Sequence, residues 1–287
     1  MTMANGIRTV GFGRGGPQVA AIGQGTWYFE QLDRPKGVAA LRRGIELGLT
    51  HIDTAEMYGD GIAEEIVGEA LAGRRDNVFL VSKVLPWNAG YADTIAACES
   101  SLRRLKTGHL DCYLLHWPGQ HPLEETFKAM DRLVQDGKIR SFGVSNFDVA
   151  DLEDAVAVIG DGRLACNQVL YHLRSRAIEH EVLPWCAAHG ISVVGYSPFG
   201  HDAFPDTKSQ GWPVLQSNAS AHAATGRQIA LAFLARHPEV LLIPKSANLQ
   251  HLAANAEVAA ITLSDGEIAQ ISAAFPLGRK PSSLPML

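Results

Sequence analysis

The sequence predicts a single (β/α)8 barrel over residues 1–287, with an N-terminal β-hairpin and a short C-terminal tail. Three observations carry this expectation. Short apolar runs rich in β-branched residues recur at 20–25, 49–53, 78–83, 110–116, 141–145, 165–168, 192–196 and 241–244. Between them, apolar residues fall three or four apart, the period of crossover helices, and such crossovers imply a parallel sheet. The length of 287 residues suits one barrel of this kind, for which about 250 are typical.

Taken in order, residues 9–16 followed by 19–22 read as a hairpin ahead of the first barrel strand, placed to plug the lower end of the barrel. Gly11, Gly13 and Gly16 spell G-x-G-x-x-G, but a dinucleotide fingerprint needs a strand before it and a helix after it. Pro17 and a strand-like run follow instead, so these glycines read as a turn. Val38, Leu41 and Ile45 define the first helical face, Ile62, Ile66 and Val67 the second, and Cys98, Leu102 and Leu105 the third. Leu123, Phe127, Met130 and Val134 define the fourth. Gly48, Gly73, Gly137 and Gly190 stand where left-handed helix caps would fall. The longest stretch without periodicity, 197–217, is expected to be a functional or mobile loop. A last helix is expected over 264–275, where Asp265 and Glu267 read as helix-start residues, followed by a Pro/Ser-rich tail.

Composition narrows the function classes. Hydrophobic residues make up 46% and charged residues 19%, enough apolar material for a sizeable core. A net charge of −5 argues against nucleic acid or an anionic membrane as the main partner, so any anionic ligand needs a local cationic pocket. The four cysteines, Cys98, Cys112, Cys166 and Cys186, contain no C-x-x-C pair and read as buried free thiols of a reducing compartment. Residues 1–16 lack the apolar run of a leader, and no uninterrupted apolar stretch reaches the ~18 residues that cross a bilayer. The expectation is a cytoplasmic protein, a monomer or a weak homo-oligomer, with a small molecule as its partner.

The polar residues that end the apolar runs point to chemistry, because the C-terminal strand ends of such a barrel form its active site. Asp53, Lys83, His116 and Ser145 follow one another at gaps of 30, 33 and 29 residues, one strand–helix unit each. Asn146, Gln168, Tyr196, Ser197, Lys245 and Ser246 end the remaining runs. Reducing a carbonyl requires a donor that is neutral near pH 7 yet yields its proton to a developing alkoxide. Tyr58 can lean over the rim from the loop after Asp53. The Lys83 ammonium would lower its pKa from about 10, Asp53 would hold Lys83, and His116 would fix the substrate oxygen. Singly, each has a structural alternative: an ion pair for Asp53 and Lys83, a core histidine, a packing tyrosine. The shared period is what binds them together.

These residues carry a resemblance to the aldo-keto reductases along the whole chain. The family's ordered signatures stand here as Gly25-Thr26-Trp27, Asp53-Thr54-Ala55-Glu56-Met57-Tyr58, Ser82-Lys83, Leu114-Leu115-His116-Trp117-Pro118 and Gly137-Lys138-Ile139-Arg140. Gly143-Val144-Ser145-Asn146-Phe147, Asn167-Gln168, Tyr196-Ser197-Pro198 and Ile243-Pro244-Lys245-Ser246 complete them. The resemblance implies reduction of an aldehyde or ketone by NADPH, with the tetrad Asp53, Tyr58, Lys83 and His116 and with Tyr58 as general acid. It also implies cofactor contacts at Gly25, Thr26 and Trp27, carboxamide binding by Ser145, Asn146 and Gln168, and stacking of the nicotinamide on Tyr196. Ser197, Pro198 and Phe199 would open a loop over the pyrophosphate, Lys245, Ser246 and the adjoining Ala247 would take the 2′-phosphate, and Asn255 the adenine.

There are departures. His251 stands where relatives that use NADPH carry an arginine, so NADH is expected to be tolerated better. Ala254 and Leu170 replace usual glutamates, and the short tail suggests an open site. Trp27, Trp87 and Trp117 would form an apolar substrate mouth. The phrases around Trp27 and Trp87 are similar to those of bacterial members that reduce small α-oxoaldehydes such as methylglyoxal. Two other classes fit parts of the pattern: a barrel lyase or aldolase with Lys83 as Schiff base, and a nicotinamide-nucleotide-binding protein without catalysis.

Overall fold

The structure, a computed structural model, describes residues 2–4, 7–202 and 204–287. Residues 1, 5 and 6, within the stretch read above for a leader, lie outside the described residues, as does residue 203 of the loop expected over 197–217. Among the described residues, no helix is long and apolar enough to cross a membrane.

A parallel sheet of β4 (Gln24–Gly25), β5 (His51–Asp53), β6 (Phe79–Val84), β7 (Leu110–Leu115), β8 (Ile139–Ser145), β9 (Cys166–Leu170), β10 (Ser192–Tyr196) and β11 (Val240–Ile243) runs round in sequence order. The seam between its two edges is closed by backbone bonds from Gly23 N–H to Leu242 C=O (2.8 Å) and from Leu242 N–H to Ala21 C=O (2.8 Å). Gly25 N–H reaches Pro244 C=O at 3.2 Å. A Cβ on Gly25 would lie 2.7 Å from the Ile243 carbonyl oxygen, so this seam admits only glycine at that point.

The first barrel strand is shorter than the run 20–25 suggests, because its beginning belongs to a hairpin. That hairpin pairs β2 (Ile7–Gly11) with β3 (Gln18–Ala20), and β1 (Thr2–Ala4), which the sequence pattern did not reveal, adds to it antiparallel. The turn between β2 and β3 carries Gly13 and Gly15 at positive φ, as the turn reading of the glycine motif requires. Val10, Phe12 and Val19 close the lower end of the barrel against a lumen of Val81, Cys112, Leu114, Cys166, Val194 and Leu241.

Helices α1 (Arg34–Glu46), α2 (Ile62–Ala70), α3 (Tyr91–Leu105), α4 (Leu123–Gln135), α5 (Val149–Ile159) and α6 (Val182–His189) follow their strands. Gly48, Gly73, Gly137 and Gly190 all have φ between 68° and 88°, the left-handed stop expected of them. The stretch 197–217 is not loop throughout: α7 (Trp212–Ala221) occupies its end, ahead of α8 (Gly226–Leu234), α9 (Leu249–Glu257) and α10 (Asp265–Ala274). Its Ser, Asn and Ala residues give α7 little apolar periodicity, and Pro213 sits in the first turn, where its missing N–H costs nothing. Ser264 and Glu267 form a capping box on α10.

A charged clamp ties the return loops to this shell. Glu179 accepts from both Arg176 (2.9 and 2.6 Å), Arg236 (2.8 Å) and the Tyr171 hydroxyl (2.6 Å). Burial pushes its carboxyl up, but the hydrogen bonds from Arg176 and Tyr171 and the charge of Arg236 outweigh that and hold it at about 2. A folded-state pKa below the unfolded value means stability that is present above about pH 4.5 and lost as the pH falls towards 2. The prediction is that Glu179→Gln lowers stability at pH 7 by about 2 kcal/mol, after allowance for residual screening, with the deficit shrinking at pH 3. Urea unfolding at the two pH values checks it; equal deficits would refute the linkage.

Candidate active site

Strand alternation delivers the side chains to one rim. Val81, Leu114, Cys166 and Val194 point into the lumen, so the residues two further on, Lys83, His116, Gln168 and Tyr196, point the same way one layer higher. Asp53 ends β5, and its register opposite Gly25 and Val81 puts it between the seam and Lys83. Tyr58 sits in the turn that leads into α2, with its N–H on Ala55 C=O (3.1 Å) and its C=O accepting from Ala63 N–H (3.2 Å).

Lys83 is fully buried and has its three protons matched. Its Nζ donates to Asp53 Oδ1 at 2.6 Å, Thr54 C=O at 2.8 Å and Tyr58 Oη at 3.2 Å. Gln168 Nε2 donates to the other Asp53 oxygen at 2.7 Å. An ammonium has no acceptor lone pair, so in the Lys83–Tyr58 bond the phenol oxygen accepts. The Tyr58 hydroxyl proton is therefore left to point elsewhere. Its ring stands edge-on to His116 (centroids 5.8 Å apart, 72°) and 6.5 Å from Trp27.

The electrostatics correct one expectation. Burial pushes the Tyr58 phenol above 10, and Lys83 only partly pulls it back, so the phenol is neutral and holds its proton. Desolvation acts to lower Lys83, but Asp53 and Tyr58 outweigh it and keep the amine charged, above its ordinary value. His116 lies well below 6.5, through burial and the Lys83 charge, and is a neutral imidazole. Its Nδ1 is buried without a partner, and the residue borders the cleft beside Tyr58. A lysine held as a cation by three acceptors has no free lone pair for a Schiff base.

The opposite wall is also hydrogen-bonded. Asn146 Nδ2 donates to His116 C=O and Ser145 Oγ (both 3.1 Å), Ser145 Oγ to Gln168 C=O (2.9 Å), and Tyr196 Oη to Asn146 Oδ1 (3.0 Å). Tyr28, Asn146 and Ser197 line the cleft at positive φ (66°, 62° and 48°), a backbone conformation costing about 1–3 kcal/mol each and concentrated at functional sites.

Together these groups line a cavity of about 400 Å³. Gly25, Thr26, Trp27, Trp117, Ser197, Pro198, Phe199 and Lys245 border it as the sequence suggested. Trp87 does not line it; the indole is 62% exposed and packs edge-on against Trp117. Ser246, Ala247, His251 and Asn255 lie beyond it, around the start of α9, where Asn248 caps the Gln250 and His251 N–H groups. The tail does not leave the site open: Leu287 reaches the cavity and its N–H lies 3.3 Å from Tyr196 Oη. Sequence reasoning passed over Tyr28, Met57, His201, Arg227 and Leu287, all of which border the cleft. Arg227 alone left a signal, a cation in a helix's first turn where the dipole disfavours it.

The cleft suits an elongated anionic ligand. Tyr58, His116 and Tyr196 border it together with Arg227 and Lys245, two cations in a protein of net charge −5, and its size lies in the range of cofactor sites. Among the described residues no group of three His, Cys, Asp or Glu side chains is placed to hold a metal ion.

Residues 21–275 match the model of the aldo/keto reductase family. The chain belongs to that family. It is an oxidoreductase similar to methylglyoxal reductase YeaE of Escherichia coli, 48% identical over 275 residues that cover 95% of this chain and 97% of the relative. Glyoxal reductase of Bacillus subtilis is 34% identical over 82% of each chain. An aldo-keto reductase of Klebsiella pneumoniae solved in complex with NADPH superposes with a TM-score of 0.91 at 49% identity, covering 99% of this reductase and all of that chain.

The ion pair inside this reductase gives a test of its architecture. Asp53→Ala leaves a buried ammonium without its counter-charge, and the expected loss is about 3–5 kcal/mol in urea unfolding. Asp53→Ala combined with Lys83→Met removes both charges and should recover most of that stability. A double variant no more stable than the single one would contradict the pairing.

Proposed function

We propose that this reductase converts small aldehydes, α-oxoaldehydes foremost, to alcohols with NADPH, and that Tyr58 is the proton donor. The observation that carries the reading is the saturation of Lys83: its third N–H meets the Tyr58 oxygen and leaves the phenol's own proton free for the cleft. NADPH, when bound, supplies the hydride. His116, a neutral imidazole on the cleft wall, would direct an N–H at the carbonyl oxygen and hold it beside Tyr58. Tyr58 gives that oxygen its proton, and the Lys83 ammonium, already bonded to the phenol oxygen, stabilises the negative charge that grows there. Asp53 and Gln168 keep the ammonium in place.

Ser145, Asn146 and Gln168 would hold the carboxamide, with Gln168 Oε1 and one Asn146 Oδ1 lone pair still to be used. Tyr196 would stack on the nicotinamide, Gly25, Thr26 and Trp27 would line its approach, and Ser197, Pro198 and Phe199 would cover the pyrophosphate. Lys245, Ser246 and Ala247 would take the 2′-phosphate, Asn255 the adenine. Trp27 and Trp117 offer an apolar mouth with Trp87 at its outer edge, suited to a small carbonyl compound. The methylglyoxal and glyoxal reductases among the relatives favour α-oxoaldehydes. Buried free thiols and a net charge of −5 favour a cytoplasmic setting, and one chain supplies the whole site, so a monomer or weak homo-oligomer would be competent.

Tyr58→Phe is expected to reduce methylglyoxal turnover by about 10²-fold or more while NADPH binding, followed by tryptophan fluorescence, changes little; near-normal turnover would remove Tyr58 from its role. His251→Arg is expected to tighten NADPH more than NADH, because a guanidinium forks onto a phosphate and an imidazole does not. Titration of both cofactors checks this, and equal effects on the two would count against it.

A further inference from the structure

Two cations, Lys245 and a second, border the cleft, and only Lys245 has been given a partner by the reading above. The other, Arg227, stands in the first turn of α8, two residues after the capping residue Thr225. Among the described residues no carboxylate pairs with its guanidinium and no side-chain hydrogen bond holds it. Its neighbours are two aromatic rings of the segment that leaves β10: Phe199, with the guanidinium 4.9 Å from the ring centroid, and Phe204, at 4.2 Å. Those rings stand edge to face, 5.7 Å apart, and Phe199 itself lines the cleft.

The surroundings make a purely structural role an incomplete account. Partial burial lowers the Arg227 pKa, and no acidic group acts to restore it. The helix end adds to the unfavourable field, since N-terminal backbone N–H groups repel a cation. The phenylalanine rings attract the cation but accept no ordinary hydrogen bond, so its N–H groups are left without acceptors. A donor fork packed against two rings at a cleft wall, with no acidic partner, is suited to a phosphate.

We propose that Arg227 is a cofactor-binding residue: its guanidinium, held by Phe199 and Phe204, forms a charge-assisted contact with a phosphate of the bound dinucleotide. The inference rests on the NADPH reading above and extends it. The covering segment after β10 and the phosphate would thereby share one clamp, with the rings and the anion on the same guanidinium. It also gives the reductase a phosphate-binding arginine although His251 stands where relatives have one.

Equilibrium titration of the purified full chain with NADPH and with NADH, at several salt concentrations, tests this. Arg227→Gln is expected to raise the Kd for NADPH at least ten-fold and to flatten its salt dependence, because one phosphate contact is gone. Arg227→Lys, which keeps the charge and loses the fork, is expected to fall between the two. Weakening confined to NADPH places the contact on the 2′-phosphate, and equal weakening of NADPH and NADH places it on the pyrophosphate. Arg227 is on the surface, so both variants should fold, and the thermal midpoint of the cofactor-free protein is the control. An Arg227→Gln protein with wild-type Kd and salt slope overturns the proposal and leaves the NADPH reading standing. Failure of the wild type itself to bind NADPH would overturn that reading instead.

Discussion

The Lys83 ammonium is the constraint on which the site depends. A buried cation is tolerable only where every proton finds an acceptor and a counter-charge lies close. Asp53, Thr54 and Tyr58 supply those acceptors, each from the segment that runs from β5 into the turn before α2. Removing water from the lysine therefore orders that segment as well: the tyrosine is where it is partly because the ammonium needs a third acceptor. Gln168, reaching Asp53 from the other side of the barrel, extends the same network across the lumen.

The barrel makes this possible through its period. Every second residue of a strand enters the lumen, so a polar residue placed two positions beyond an apolar one rises by one layer without changing its direction. Val81 and Lys83, Leu114 and His116, and Cys166 and Gln168 are such pairs. The seam shows the cost of closing the ring: at Gly25 the carbonyl of Ile243 leaves no room for a Cβ.

That periodicity is also why so much of the fold and the tetrad could be read from the chain. The spacing of Asp53, Lys83, His116 and Ser145 reflects one strand–helix unit each, and the glycine stops fell at left-handed positions because those turns demand positive φ. What escaped was set by contacts distant in sequence. The strand Thr2–Ala4 is ordered by pairing with β2 and carries too few residues to show a pattern. The helix that begins at Trp212 lacks an apolar stripe. Arg227 borders the cleft only because α8 packs beside the segment after β10, and the tail reaches Tyr196 only after the chain has circled the barrel. The direction of the Tyr58 shift was misjudged because desolvation, which depends on packing, outweighs the lysine that the sequence shows.

The hairpin under the barrel has one more effect. Beneath the polar rim the lumen is filled by Val81, Leu114, Val194 and Leu241, and below Asp53 lies His51 between Phe12 and Phe79 with both ring nitrogens unpartnered. Burial and the Lys83 charge hold that imidazole at about 3, so it carries no charge at physiological pH. Among the described residues no side-chain hydrogen bond links His51 to the Asp53–Lys83–Tyr58 network above it. On the proposed mechanism a proton spent at Tyr58 would then be replaced from the cleft side, which would couple recharging of the acid to departure of the product.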